Sequence, residues 1–133
     1  DTFRTSVAEN RAARIEQFNK TGEKTGKISF TATAGDDEPI AMSTLDSGAI
    51  VAVTVRENDT VTPTNEDAVI KVDGKPGNPV VKTLSGVSQS STGFTTTYSD
   101  QLFFFVPAQS SSERIRFLGY SSDILSAKVV KKK

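Results

Sequence analysis

Beyond residue 27 the apolar residues recur with a period of two. Ile28, Phe30, Ala32 and Ala34 alternate with Ser29, Thr31 and Thr33, the pattern of a strand with one buried face. Gly35, Asp36, Asp37, Glu38 and Pro39 break it, and Ile40 with Met42 predicts a short second strand. After a turn at residues 45–48, residues 49–56 carry Ile50, Val51, Val53 and Val55, which suits a central strand. The polar stretch 57–65, with Pro63 inside it, reads as the loop that ends that strand. Ala68, Ile70 and Val72 alternate again and run into Asp73 and Gly74, a hairpin signal. Residues 75–79 read as an irregular loop, and residues 80–84, 93–98, 115–118 and 124–130 as further strands. The most apolar run is Leu102, Phe103, Phe104, Phe105 and Val106, expected at the centre of the core. Successive strand residues point to opposite faces, so this run implies cover on both sides.

Only the N-terminal stretch has a helical pattern. Ser6 and Glu9 fit a capping box, in which hydroxyl and carboxylate satisfy free backbone N–H groups. Val7, Ile15 and Phe18 project to one side with Arg11 between them, Glu16 and Lys20 are spaced to pair, and Asn19 with Gly22 offers a stop. A helix of about 12 residues would be marginal alone and must pack on something. Together these elements predict a mostly β fold: an antiparallel β-sandwich, immunoglobulin-like or jelly-roll-like, of seven to eight strands with one short helix. The organisation expected is an N-terminal helix and linker over residues 1–22 and a sandwich domain over residues 23–133.

Composition narrows the chemistry. Among 133 residues there is no His, Cys or Trp, Met42 is the single methionine, and Ser and Thr together fill 31 positions. The commonest general base, the strongest nucleophile and the usual zinc or copper ligands are therefore missing. Sixteen basic and sixteen acidic residues cancel, which gives no net field to gather nucleic acid or an anionic membrane. No apolar run approaches the roughly 20 residues that span a bilayer. Residue 1 is Asp and no leader precedes it, so a mature or trimmed chain is expected.

Each motif in the chain has a plainer structural reading. Gly22, Glu23, Lys24, Thr25, Gly26 and Lys27 imitate a phosphate-binding loop but have three residues between the glycines where four are needed. The segment also leaves a helix and enters a strand, which reverses the required geometry. Asp36, Asp37 and Glu38, with Glu57, Asp59, Glu66 and Asp67 in other loops, offer oxygen ligands for calcium but no alternating pattern with a glycine pivot. No Ser is followed by Lys three positions later, so that Ser–Lys hydrolase arrangement is missing. Arg114, Ile115, Arg116 and Phe117 interleave basic and apolar residues, as an edge or outer strand does. Asn19-Lys20-Thr21 and Asn58-Asp59-Thr60 match the glycosylation sequon, a match common by chance in a Thr-rich chain. We therefore assign no catalytic, cofactor-binding or metal residue, no cofactor and no enzymatic activity.

Residues 102–130 contain an aromatic strand ending in Val106 and Pro107, a polar stretch, Ile115-Arg116-Phe117 and a final aliphatic strand. This segment resembles the immunoglobulin-like domain of unknown function found on Gram-positive lipoproteins and membrane-anchored proteins, with residues 49–56 as its central strand. The helix departs from that pattern, as does the absence of a membrane anchor. The resemblance implies an envelope-exposed accessory domain and carries over no functional residue. The expected function is a non-catalytic, extracytoplasmic domain, secreted or on the cell surface, acting by protein–protein contact. Two alternatives stand beside it: a self-assembling structural subunit of a filament or virion, and a small-ligand or glycan-binding module using Tyr98 and Tyr120.

Overall fold

A computed structural model describes residues 2–21, 25–74 and 77–132. In chain order they form α1 (Thr2–Thr21), β1 (Gly26–Ala34), β2 (Ile40–Ser43), β3 (Ala49–Pro63), β4 (Ile70–Lys71), α2 (Pro79–Ser85), β5 (Gln89–Ser90), β6 (Phe94–Val106) and β7 (Arg116–Val129). Five strands make one open sheet in the order β1-β3-β6-β7, with β2 also paired to β3. β4 and β5 form a separate antiparallel ribbon. The fold is mostly β, as the alternation predicts, but the described residues do not form the expected sandwich of seven to eight strands.

The difference comes from strands that run on through segments read as loops. β3 continues to Pro63 because its polar residues are satisfied across the sheet. Thr97 Oγ1 donates to Asn58 Oδ1 at 2.7 Å, the Thr60 and Thr95 hydroxyls meet at 3.0 Å, and Arg56 donates to Ser99. Such cross-strand polar pairs stabilise a sheet as apolar pairs do. The strands expected at residues 93–98 and 102–106 merge into β6, which starts at Phe94. Those expected at residues 115–118 and 124–130 merge into β7, which spans Arg116–Val129. Residues 80–84, expected as a strand, are helical instead. Asn78 caps α2 by accepting from the Val81 N–H at 3.1 Å, Pro79 opens the first turn, and Gly86 closes it at a φ of 75°. The hairpin expected at Asp73 and Gly74 is absent for the same reason: β4 pairs with β5, and α2 lies between them in the chain.

The helix α1 is longer than expected, 20 residues, and begins at Thr2, so Ser6 lies inside it and is not its cap. The expected Glu16–Lys20 pair forms, at 2.6 Å on the exposed side.

The chain divides into two compact units, unit 1 (residues 1–31, 58–97 and 124–133) and unit 2 (residues 32–57 and 98–123). Unit 1 holds the hydrophobic cluster, with Val72, Val81, Phe94 and Ala127 buried and Ile70 packed against them. Gly26 lets two elements close on β1: a Cβ there would lie 2.9 Å from Ile70 Cδ1 and 3.3 Å from the Phe18 ring. Gly93 is required more strictly, because its φ is 101° and an added Cβ would fall 2.0 Å from the Val61 carbonyl oxygen.

The apolar stripe on α1 is narrow, and a charged contact fixes the helix to the sheet. Arg14 Nη2 donates to Asp59 Oδ2 at 2.6 Å, and Asp59 is only 5% exposed. The Arg14 guanidinium lies 4.8 Å from the centre of the Phe30 ring and Arg11 lies 6.0 Å from it, within reach of a cation–π attraction. Asp59 therefore sits in β3, ion-paired to α1, and not in a loop.

Candidate interaction surface

Unit 2 is built from strands and turns alone. Its β2 and β3 are joined by a tight turn. The Thr44 N–H donates to the Gly48 carbonyl at 2.9 Å, and Ser47 takes a φ of 62°. The Thr44 hydroxyl also donates to Asp46 Oδ1 at 2.6 Å. That hydrogen bond, first among several, holds the Asp46 carboxyl below its ordinary pKa; backbone N–H groups and the Arg116 charge act in the same direction. The turn fixes a register in which Ile40 pairs with Ala52 and Met42 with Ile50.

This register sets apolar side chains beside one another on one side of the sheet. Ile40, Met42, Ile50, Ala52, Gln101 and Phe103 line a shallow depression of about 240 Å³. Ile40 and Met42 are each 65% exposed, an unusual state for adjacent large apolar residues. By alternation along β6, Phe105 lies on the side of Phe103. Phe105 is buried against Gly48, where a Cβ would come within 2.9 Å of its ring, and the Arg116 guanidinium lies 4.9 Å from the ring centre. By the same alternation Leu118 and Tyr120 follow Arg116 along β7, and both are exposed. Phe104 points the other way, and its ring meets Phe117 at 5.5 Å, tilted by 57°.

The Phe run is thus not the centre of a core. Phe105 is buried, while Phe103 and Phe104 are half-buried, and the buried cluster lies in unit 1 around Phe94.

The other sequence candidates are placed as follows. In the glycine-lysine segment, residues 22–24 lie outside the described residues, and Gly26 opens β1. No three His, Cys, Asp or Glu side chains gather to hold a metal ion among the described residues. Arg114 and Ile115 precede β7, while Arg116 and Phe117 open that edge strand. Tyr98 is half-buried in β6, and Tyr120 is exposed in β7. Among the described residues no helix is long and apolar enough to cross a membrane.

Neither the Ile40–Met42 patch nor the Arg14–Asp59 contact is singled out by the sequence pattern. The patch leaves one trace, a four-residue apolar alternation squeezed between an acidic break and a turn. Its exposure depends on which elements cover it, and no local pattern records that. No protein-family model matches the chain, and neither curated proteins nor solved structures yield a match.

Proposed function

We propose that this chain is a non-catalytic interaction domain that works outside the cytoplasm by contact between proteins. The observation that carries the reading is the exposed apolar side of unit 2, centred on Ile40, Met42 and Phe103. Exposed apolar patches rimmed by polar residues mark association sites, because burying them in a partner removes them from water. Absent His and Cys supports a role without acid–base or thiol chemistry. The sandwich expected from the strand pattern belongs to this reading: its second layer would be supplied by the partner. So does the resemblance of residues 102–130 to the Gram-positive envelope domain.

A photoreactive residue placed at Met42, and at the exposed polar Thr31 as control, tests the reading in the cells that make the protein. The expected result is a discrete adduct of defined mass from position 42 and none from position 31. No adduct at position 42, or the same ladder from both, contradicts it. A membrane-impermeant lysine reagent on intact cells tests the location, and failure to label the chain overturns that part.

A further inference from the structure

The zero net charge of the chain conceals two opposite charges. Unit 1 contains 13 basic and 8 acidic residues, a net +5, whereas unit 2 contains 3 basic and 8 acidic residues, a net −5. Two copies meeting through unit 2 alone would bring like charges together. A unit 1 set against a unit 2 would bring opposite charges together, which favours both encounter and register.

Unit 1 also has an apolar projection to offer. Val80 and Leu84, four positions apart on one side of α2, are 46% and 45% exposed, and Val87 just beyond is exposed as well. Val81, between them in sequence, turns inward to the cluster with Val72, Phe94 and Ala127. Lys82 on the same helix is exposed, as are Lys71 on β4 and Asp73 after it. The face of unit 2 has the complementary character. It is apolar and concave at Ile40, Met42, Ile50 and Phe103, and Asp36, Asp37 and Glu38 immediately precede β2.

We infer that the partner of the unit 2 face is a second copy of this chain, which docks its α2 projection into the depression. This rests on the reading of that face as an interaction surface and names its occupant. The contact is heterologous, one patch against a different patch. Repetition therefore gives a closed ring or an open chain according to the rotation between copies.

Two variants decide the matter when sedimented separately and mixed. Ile40→Lys with Met42→Lys blocks the face, and Val80→Glu with Leu84→Glu blocks the projection. The expected result is that each alone is monomeric by sedimentation velocity, while the mixture forms a one-to-one complex. Wild type should associate, and its association should weaken roughly ten-fold as salt rises from about 0.02 M to about 0.5 M, as screening of the charges requires. If the projection variant still dimerises alone, the contact is face to face and the inference falls, while the interaction reading of unit 2 survives. Wild type that stays monomeric to about 100 µM also overturns it, and a position-42 adduct with a different protein would then identify a foreign partner. Should either variant unfold by circular dichroism, Lys71→Glu with Lys82→Glu replaces it: unchanged wild-type affinity contradicts the inference, and a ten-fold loss supports it.

Discussion

The strands β3 and β6 pass through both units, and the two units handle the same alternation differently. In unit 1 the odd positions of β3 and even positions of β6 include Asp59, Phe94 and Thr96, all buried. Helix α1 anchors to Asp59, and α2 contributes Val81 to the cluster around Phe94. The remaining positions, Asn58, Thr60, Thr95 and Thr97, pair with one another as polar groups that water can also reach. In unit 2 the equivalent remaining positions are Ile50, Ala52 and Phe103, beside Ile40 and Met42. Period-two patterning makes a core only where another layer completes it. Without that layer the same pattern makes a surface with an affinity for apolar partners.

The largest expected effect lies in the closed unit. Phe94→Ala should destabilise by about 3–5 kcal/mol, the usual cost of deleting a buried aromatic, while Phe104→Ala should cost only about 1–2 kcal/mol because its ring is half-buried. Denaturant unfolding measures both, and equal losses would erase the distinction between the units. Next comes the helix anchor. Asp59→Ala should cost about 0.5–1.5 kcal/mol, since it removes the hydrogen bond that ties α1 to β3 and leaves only the half-exposed Arg14, which water can reach. A double-mutant cycle with Arg14→Ala should reveal a favourable coupling, and strict additivity would assign the anchoring of α1 elsewhere.

Ile40→Ser with Met42→Ser should change stability by less than about 0.5 kcal/mol, as befits exposed positions, while weakening association sharply. A loss comparable to that of Phe94→Ala would place these residues in the core after all. The smallest effect concerns the turn of unit 2. Asp46 has a lowered pKa in the folded chain, so its contribution to stability is present above the unfolded carboxylate value and fades as pH falls through the folded value. Thr44→Ala should raise the Asp46 pKa toward the ordinary value in an NMR titration, and an unmoved pKa would deny the hydroxyl its role.

Much of this architecture is legible in the sequence. The alternation in β1, the break at residues 35–39, the short β2 and the turn at residues 45–48 all follow from local pattern. Boundaries at residues 57–65 and 99–101 were not legible, because polar residues that pair across strands look the same in sequence as loop residues. Asn58 and Thr97 are 39 positions apart, and nothing local announces their hydrogen bond. The helix α2 falls where the alternation reads a strand at residues 80–84; its signal is Asn78, Pro79 and Gly86, whose capping chemistry outweighs the β-branched Val80 and Val81. The exposed face of unit 2 was hidden for a different reason. Whether Met42 meets protein or water depends on the third dimension, and its sequence neighbourhood is that of any half-buried strand.

That single methionine also offers the most direct test of the central claim, that the unit 2 face is a contact surface between copies. The rate of Met42 sulfoxide formation by peroxide, followed by mass spectrometry across a dilution series, reports the exposure of that side chain. The expected rate is near that of a free methionine in dilute protein and falls several-fold as concentration rises, with the fall abolished by Val80→Glu and Leu84→Glu. A rate that stays constant across the whole series would contradict it.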